Sequence, residues 1–402
     1  MKILAIETSC DDTCIAIVEA DKRGYQRGFT QIKFNVLSNI VSSQVEIHKR
    51  WGGVYPTLAK REHQKNLVPV LLNALKKAGL LKKSKAKLKI KNLKPILERE
   101  ELLQKKLRGF LQNYQQPKID AIAVTVGPGL EPCLWVGVNF ARALSYFWQL
   151  PIIPINHIEA HIFASFVNTR INANKNTNQH KNLFPAICLV VSGGHTQLIL
   201  MRGIGKYKII GETRDDAAGE CFDKVARILN LGYPGGPAIA EQARQWQSNI
   251  QYPISNIQLP RPMIYQKNYD FSFSGLKTAV LYLVKQLTMN NKQLTIKQKG
   301  GICAETQQAV IDVLIHKTLR AAKEYKAKTI ILGGGVVAND ELRKQFKSNI
   351  QYLTSNIQFL MPDVQLCTDN AAMVGATAYY HHLKQKTKSW KNIQANANLR
   401  IG

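Results

Sequence analysis

A strand, a short polar turn and a second strand occur twice in this chain, and this repeated arrangement constrains the fold more than any other feature. KILAIE and TCIAIVEA flank the turn TSCDD over residues 2–20, and AICLVVSGGHTQLILM repeats the arrangement over residues 186–201. A third apolar strand lies within KTIILGGGVVAND, residues 328–340, and runs into glycines before a helix. The backbone N–H groups of such Gly, Ser, Thr and Asp loops can surround phosphate oxygens. The pattern therefore predicts loops that bind a phosphate-containing ligand.

Helical patterns fill the sequence between these strands. Residues 57–80 have apolar side chains at helical spacing, with Gly79 as the expected stop and Pro69 as a point where the helix kinks or restarts. Residues 121–150 indicate a strand, a Gly-Pro-Gly loop and a buried helix, and residues 301–325 a second long helix. Alternating strands and helices with two glycine-containing hairpins predict an α/β protein of two similar lobes. A ligand would then lie in the cleft between them, in contact with loops from both.

The length of 402 residues fits two domains better than a single core. We predict an N-terminal lobe over residues 1–155 and a C-terminal lobe over residues 156–402, with the last helix packing back on the N-terminal lobe. Two stretches have the character of insertions, a basic and helix-prone one at 80–118 and a polar, disordered one at 168–182. The basic insertion is either an arm that binds nucleic acid or a solvated decoration, and its recurring Leu and Ile indicate some packing.

The chain carries 55 Lys and Arg against 27 Asp and Glu, a formal net charge of +28. This excess indicates a polyanionic partner, nucleic acid first, or a lysine-rich solvated surface. Apolar residues make up 45% of the chain, which excludes a disordered protein. No apolar run approaches the ~20 residues of a membrane span, the first residues do not form a signal peptide, and the scattered cysteines indicate reduced thiols. We therefore expect a cytoplasmic protein without a membrane segment.

The stretch NHIEAHIFAS places His157 and His161 four positions apart. On a helix the two imidazoles share one face, so they can bind a single metal ion. The spacing is not that of an HExxH protease helix, and Glu159 lies two positions from each histidine. A metal that is open to substrate needs a third protein ligand. Spacing alone leaves three candidates open: Asp369, Asp223 and Glu220.

Three further places carry groups suited to a nucleotide. In VVSGGHTQL, Gly193 and Gly194 let the backbone approach a ligand next to Ser192, although the same residues suit an ordinary hairpin turn. Asp223 precedes a Pro-Gly-Gly-Pro loop, and a carboxylate facing a glycine loop suits ribose hydroxyls. Asn339 either bonds a ligand through its amide or caps the helix that follows.

These motifs occur together and in one order, and in that combination they resemble a known family. The motifs are ETSCDDT, GPGL, HIEAH, VSGGHTQL, DDAAGECFDK, YPGGP, FSFSGLKT, GGGVVAN and CTDNAAM. From the first strand to about residue 385 the chain resembles the tRNA threonylcarbamoyladenosine transferases, once described as O-sialoglycoprotein endopeptidases. The resemblance implies two ribonuclease-H-like lobes of the actin-like ATPase and sugar-kinase superfamily around a nucleotide cleft.

The resemblance also implies a set of site residues. One divalent metal, usually iron and alternatively zinc, is expected on His157, His161 and Asp369. Asp11 faces the same cleft in this fold and is expected to tune the attacking amine or water at the metal. The implied substrate contacts are Val190, Val191, Ser192, Gly193, Gly194, Asp223, Gly236 and Asn339.

Two positions depart from the family pattern. Ala240 stands where the family often has an acidic residue, with Glu241 next to it. Either the register shifts by one residue or a contact to a ribose hydroxyl is absent. Asp12 stands where many relatives have glutamate, which is a conservative change.

The implied reaction is transfer of a threonylcarbamoyl group from threonylcarbamoyl-AMP to the adenosine beside the anticodon of tRNA. The implied protein partners are a metal-free paralogue of the same fold and a small ATPase, while some relatives act as homodimers. Three alternative hypotheses for the function are an ATPase or small-molecule kinase of the same fold, a metalloprotease with Glu159 as base, and a non-catalytic RNA-binding subunit. The first leaves the histidine pair and Asp369 without a role, spacing opposes the second, and an intact metal triad argues against the third.

Overall fold

The computed structural model describes residues 1–26, 29–85, 93–167, 183–248, 257–289, 292–353 and 357–402. These residues belong to two compact units. The first unit takes the described residues within Met1–His48, Val54–Thr177 and Asp369–Ile401. The second takes those within Lys49–Gly53 and Asn178–Thr368, together with Gly402.

The described residues form ten strands and twelve α-helices. The strands are β1 (Lys2–Glu7), β2 (Thr13–Gln26), β3 (Phe29–Ser42), β4 (Ala121–Gly127), β5 (Ile152–Asn156), β6 (Ala186–Val191), β7 (Thr196–Gly203), β8 (Lys206–Glu212), β9 (Thr329–Gly333) and β10 (Gln358–Leu360). The helices are α1 (Val45–His48), α2 (Pro56–Lys77), α3 (Lys94–Leu97), α4 (Glu101–Asn113), α5 (Glu131–Trp148), α6 (His157–Val167), α7 (Ala218–Ile228), α8 (Gly235–Ser248), α9 (Ser274–Leu287), α10 (Ile296–Glu324), α11 (Asp340–Leu353) and α12 (Ala371–Leu383).

The first unit contains a five-stranded mixed sheet in the order β3-β2-β1-β4-β5. β1 pairs antiparallel with β2 and parallel with β4, and β4 pairs parallel with β5. All seven residues of β4 are buried, as is usual for a parallel strand covered on both faces. Because β1, β4 and β5 run in one direction, their carboxyl ends meet at one edge of the sheet. Glu7 and the start of α6 therefore lie at that edge.

The second unit repeats this arrangement in its own sheet, in the order β10-β9-β6-β7-β8. β6 pairs antiparallel with β7 and parallel with β9, as β1 does with β2 and β4. The hairpin β6–β7 closes over the turn at Ser192, which is the second strand–turn–strand pattern of the sequence. The prediction of an α/β protein with two similar lobes is confirmed, because each unit contains a five-stranded mixed sheet with the same strand arrangement.

The helix predicted over residues 57–80 forms as α2, and Pro69 lies inside it without ending it. Gly79 ends the helix at a φ of +69°, with its N–H donating to the carbonyl of Lys76. The next N–H, of Leu80, donates to the carbonyl of Leu75, the hydrogen-bond pair that commonly closes helices at a left-handed glycine. The apolar stripe of α2, which includes Leu67 and Leu71, packs in the core of the first unit.

The predicted boundary between residues 155 and 156 falls within β5, and β5 and the following α6 both belong to the first unit. α12 also belongs to it and packs on α6, β1 and β2. A Cβ added at Gly375 of α12 would come within 2.6 Å of Val18 on β2, so the helix lies close to the strand. The polar insertion predicted at 168–182 lies outside the described residues. None of the helices within the described ranges is long and apolar enough to cross a membrane.

Candidate metal centre and substrate loops

α6 starts at the first histidine of the pair because Asn156 caps it. The side-chain oxygen of Asn156 accepts hydrogen bonds from the backbone N–H groups of Ile158 and Glu159, at 2.9 and 3.1 Å. His157 and His161 then share one face, with ring centroids 4.6 Å apart and the rings nearly perpendicular. Both histidines are buried, so their ring nitrogens are shielded from bulk water.

Asp369 brings a carboxylate to this pair from just before α12. Its Oδ1 lies 3.5 Å from Nε2 of His157 and 3.2 Å from Nε2 of His161. Asn370 accepts a hydrogen bond from the N–H of Met373, which caps α12 directly after the carboxylate. Among the residues that the structure describes, His157, His161 and Asp369 form the group with ligand atoms close enough to hold one metal. The other two candidates, Asp223 and Glu220, lie on α7 in the second unit.

Glu7, at the end of β1, orients the first histidine from behind. Its Oε2 lies 3.0 Å from Nδ1 of His157, and the Ser9 hydroxyl lies 3.2 Å from the same nitrogen. Glu7 is fully buried and also accepts hydrogen bonds from Ser9 N and the Thr125 hydroxyl, both at 2.6 Å. A carboxylate on one ring nitrogen holds the proton there and turns the other nitrogen toward a metal.

The donor set fits a divalent metal in two respects. Both ring nitrogens of His161 are buried and neither makes a hydrogen bond of good geometry within the described residues, although Asp369 Oδ1 lies 3.2 Å from Nε2. Buried polar atoms are normally satisfied, and a metal on Nε2 would satisfy this one. Two ligand atoms that each lie about 2.1 Å from one metal are roughly 3.0–3.4 Å apart, close to the two distances from Asp369.

The electrostatics of the two histidines differ. Burial lowers the pKa of His161, which keeps that imidazole neutral, the form that binds metals. Burial also acts to lower the pKa of His157, but the charges of Asp369 and Glu7 outweigh it and raise this pKa to about 9. The charge of His157 in turn lowers the pKa of Glu7 against the effect of burial. The pocket therefore favours positive charge between its carboxylates.

Glu159 points to the other side of α6. Its Oε2 lies 2.8 Å from Nε2 of His381, in the last turn of α12, and both side chains are buried. This buried pair joins α6 to α12 rather than supplying a carboxylate to the histidine face.

Asp11 and Asp12 lie in the β1–β2 turn, two and three residues after Ser9. Burial raises the pKa of Asp11 against a hydrogen bond from Cys10. Burial, with the charges of Asp369 and Asp11, raises the pKa of Asp12 to about 7. One oxygen of Asp12 is buried without a hydrogen-bond partner in the described part of the chain.

Three residues that support this centre were missed by sequence reasoning: Glu7, His63 and His381. His63 lies on α2, where its ring nitrogens contact the Thr13 hydroxyl at 2.8 Å and the Cys10 carbonyl at 2.9 Å and so brace the turn. Burial lowers its pKa to about 4. A signal was available, because His63 lies four positions before Leu67 on the apolar stripe of α2 and Glu7 interrupts an otherwise apolar strand.

In the second unit, Val190 and Val191 end β6 and deliver Ser192 to the β6–β7 turn. Ser192 N–H donates to the His195 carbonyl at 2.8 Å, and its hydroxyl accepts from His195 N–H at 3.1 Å. A Cβ added at Gly193 or Gly194 would meet nothing within 4 Å, so packing within the chain does not require these glycines. The open space above them suits the close approach of a ligand.

Two other glycines allow the neighbouring backbone to pack closely against this turn. A Cβ on Gly219, in the first turn of α7, would lie 2.6 Å from the Ser192 carbonyl oxygen. A Cβ on Gly334, at a φ of +93°, would lie 2.3 Å from the Val191 carbonyl oxygen. The turn, the start of α7 and the end of β9 therefore lie against one another.

Asp223 contacts the start of α8. Its Oδ1 accepts a hydrogen bond from the N–H of Gly235 at 2.7 Å, and a Cβ on Gly236 would meet nothing within 4 Å. On the same helix, the exposed Glu241 pairs with Arg244 at 2.7 Å. Ala240 precedes it and carries no polar group that could contact a ribose hydroxyl.

Asn339 caps α11. Its Oδ1 accepts from Leu342 N–H at 2.9 Å, and its amide nitrogen donates to Gln307 at 2.7 Å. The capping alternative for this residue is therefore realised.

Two solved structures are similar to this chain at low identity. Full-length HypF in the phosphate- and nucleotide-bound form aligns over 95% of this chain and 46% of that chain, with 11% identity and a TM-score of 0.49. YeaZ from Pseudomonas aeruginosa aligns over 98% of both chains, with 9% identity and a TM-score of 0.32.

The sequence comparisons are much stronger. The profile of the family described as tRNA N6-adenosine threonylcarbamoyltransferase (TsaD) matches residues 35–87 and 101–376. The relatives of that name from Persephonella marina and Thermosipho africanus are each 40% identical over 100% of this chain, and the alignments cover 96% and 100% of their lengths. A third, from Syntrophomonas wolfei, is 40% identical over 94% of this chain and 92% of its own. The chain therefore belongs to the tRNA N6-adenosine threonylcarbamoyltransferase family.

Proposed function

We propose that this protein transfers the threonylcarbamoyl group of threonylcarbamoyl-AMP to the exocyclic amine of the adenosine next to the anticodon. The acceptors are tRNAs that read codons beginning with A, and the product is N6-threonylcarbamoyladenosine. The observation that carries the proposal is full-length identity of 40% to transferases of this name. The arrangement of histidines and carboxylates in the first unit supports it.

His157, His161 and Asp369 are proposed to hold one divalent metal, Fe2+ or alternatively Zn2+. Two imidazoles and one carboxylate leave coordination positions open and are the donors typical of non-haem iron and catalytic zinc. When bound, the metal would supply Lewis-acid stabilisation of the charge that develops on the carbamoyl carbonyl. Glu7 holds His157 in the orientation that this role requires.

The donor is assigned to residues of the second unit. The backbone from Val190 to Gly194 is proposed to surround the phosphate, which the open space at Gly193 and Gly194 supports. Asp223 and Gly236 are proposed to contact the ribose hydroxyls. Asn339 is proposed to contact the adenosine, in addition to capping α11.

In the reaction, the amine nitrogen forms a bond to the carbamoyl carbon, and the bond from that carbon to the phosphate oxygen breaks. AMP leaves with the electron pair, and the amine loses a proton. Asp11 is proposed to tune the attacking amine, since burial raises its pKa above that of an ordinary carboxylate. The acceptor base is proposed to enter unstacked from the anticodon loop, as single-stranded bases usually do.

We further propose that the protein acts in the cytoplasm with a metal-free paralogue of the same fold and a small ATPase. The net charge of +28 supports salt-sensitive attraction to tRNA phosphates. A metalloprotease would need a general base beside the histidine pair. Glu159 is paired with His381 on the opposite side of α6, which disfavours that alternative.

The test is a transfer assay with synthase-made threonylcarbamoyl-AMP and unmodified tRNA, with nucleosides read by mass spectrometry. The variant is His157→Ala combined with His161→Ala, and the control is His382→Ala, an exposed histidine on α12. Modified adenosine from wild type and control alone supports both transfer and the metal's role. Equal product from the double variant would refute the metal's role. No product from wild type, with bacterial partner proteins added, would favour the ATPase or RNA-binding alternative.

A further inference from the structure

The insertion between α2 and β4 folds back on the end of α2. After Gly79 the chain turns, and residues 82–84 pair with residues 113–115, at the end of α4. Gln115 N–H donates to the Lys82 carbonyl, and Ser84 N–H donates to the Asn113 carbonyl, both at 2.8 Å. The carboxyl ends of α2 and α4 therefore meet at one place in the first unit.

Positive charge is concentrated in the two stretches of chain that meet here. The stretches 76–85 and 108–118 contain no Asp or Glu. Their exposed basic residues, here called the basic cluster, are Lys76, Lys77, Lys82, Lys83, Lys85, Arg108 and Lys118. Protein surfaces ordinarily carry positive and negative charges side by side, and a surface that carries only positive charge attracts a polyanion. Some of these lysines also complement the carboxyl end of α2, but that effect reaches only the last turn.

The basic cluster is displayed on packed structure rather than on a free tail. α4 buries Leu103, Leu107 and Phe110 in the core of the first unit, and the ring of Tyr114 stacks on Phe110 with centroids 5.3 Å apart. Lys106 of α4 donates to the Lys65 carbonyl of α2 at 2.7 Å. Little backbone ordering is then needed when a ligand binds to these side chains.

The basic cluster and the metal centre lie at opposite edges of the first sheet. Lys118 leads into Asp120, whose N–H donates to the Lys2 carbonyl at 2.8 Å, at the edge where β1 and β4 begin. Glu7 and His157 lie at the edge where β1 and β5 end. A six-residue strand spans about 20 Å, so a ligand that reaches both places must be long.

We propose that the basic cluster binds the phosphate backbone of the tRNA substrate, away from the reacting adenosine. The inference rests on the proposed function for the identity of the polyanion. Of the two common polyanions, RNA fits better than an anionic membrane. Membrane-binding basic surfaces add exposed apolar anchors, and none of the exposed large apolar side chains of the described residues lies in these two stretches.

The test compares two triple variants of the full-length protein that lose equal charge. One is Lys82→Gln with Lys83→Gln and Lys85→Gln, all on a loop. The control is Lys323→Gln with Lys344→Gln and Lys347→Gln, exposed lysines on α10 and α11 that have Glu324 and Glu341 close in sequence. Unmodified full-length tRNA and the isolated anticodon stem-loop serve as ligands and as substrates.

We expect the loop variant to raise Kd and KM for full-length tRNA roughly tenfold. The slope of the logarithm of the binding constant against the logarithm of the salt concentration should become less steep by about 1 for each lysine replaced. We expect kcat to stay at the wild-type value, and the kinetics with the stem-loop and those of the control variant to stay unchanged. Unchanged binding of full-length tRNA to the loop variant would overturn the proposal. So would an equal loss with the stem-loop, or a loss of binding to phosphatidylserine vesicles without a loss of tRNA binding. Because Kd is measured without turnover, it decides the matter even if no transfer is seen.

Discussion

Glu7 Oε2 lies 3.0 Å from Nδ1 of His157, and this contact connects the first strand of the chain to the helix of the histidine pair. Replacing Glu7 by Gln keeps the shape of the side chain and removes the charge that orients the imidazole. We expect metal affinity to fall about 10- to 100-fold, as is usual when the partner of a metal-binding histidine is lost. Metal titration against a chelator of known affinity measures this.

The matched control is Glu19→Gln, at a partly exposed glutamate on β2 that pairs with Lys2. It should leave metal affinity unchanged. Equal affinity in Glu7→Gln and wild type would show that Glu7 serves only the packing of β1.

His381→Ala should destabilise the first unit. It removes the imidazole that lies 2.8 Å from the buried Glu159 carboxylate, and the loss of a buried hydrogen bond costs about 1–3 kcal/mol. Urea denaturation measures the free energy of unfolding. His382→Ala, at the exposed neighbouring position, should change it by less than about 0.5 kcal/mol.

Adding Glu159→Gln to the His381 variant should recover part of the loss, because a neutral amide then replaces the buried carboxylate whose contact with the imidazole is gone. If the double variant is as unstable as the sum of the two single variants, the pair is not energetically coupled.

Asp12→Asn should change how stability depends on pH. The pKa of Asp12 is about 7 in the folded protein against an ordinary value of 3.8, so between these values the folded state holds a proton that the unfolded state has lost. The free energy of unfolding of the wild-type protein therefore falls as pH rises through this window. In the variant this contribution is absent, because asparagine does not titrate. We expect the thermal midpoint of Asp12→Asn to lie above that of wild type at pH 8, and the difference between the two midpoints to be smaller at pH 5.

Thermal midpoints of metal-free protein at both pH values test this. Asp21→Asn, at an exposed aspartate on β2, is the control and should follow wild type. A difference between Asp12→Asn and wild type that is the same at both pH values would contradict the explanation.

Gly219→Ala and Gly193→Ala should act in different ways. A Cβ on Gly219 would lie 2.6 Å from the Ser192 carbonyl oxygen, so the alanine should cost about 1–3 kcal/mol of stability. A Cβ on Gly193 meets nothing within 4 Å, so the alanine should preserve stability and raise KM for the donor by occupying ligand space. Thermal melts and donor titrations separate the two effects. Unchanged donor KM in Gly193→Ala would remove this turn from the donor site.

Local sequence patterns predicted much of the fold. Apolar strands on either side of short polar turns predicted the two hairpins, and Gly79 was correctly placed as the stop of α2. Pro69 did not break that helix, because the buried stripe on either side of it holds the helix against the sheet. The helix cap at Asn339 was foreseen as one of two alternatives, and the structure realises it.

Local sequence patterns predicted less of the candidate metal centre. Spacing placed His157 and His161 on one face but left three carboxylates open as the third ligand. Glu7 and Asp369 are separated from the pair by about 150 and 210 residues, and a pattern with a short period carries no information on contacts that distant. Glu159 shows the same limit, since its partner His381 lies 222 positions away.

By itself, the sequence determined which residues form strands, turns and helices and which face of each is buried, because those properties depend on neighbours within a few positions. The order of strands decided the rest. It places the end of β1 and the start of α6 at one sheet edge, and α12 brings Asp369 to the histidines by packing on α6. These are long-range contacts, whose partners are selected by the packing of whole buried faces rather than by any local residue pattern.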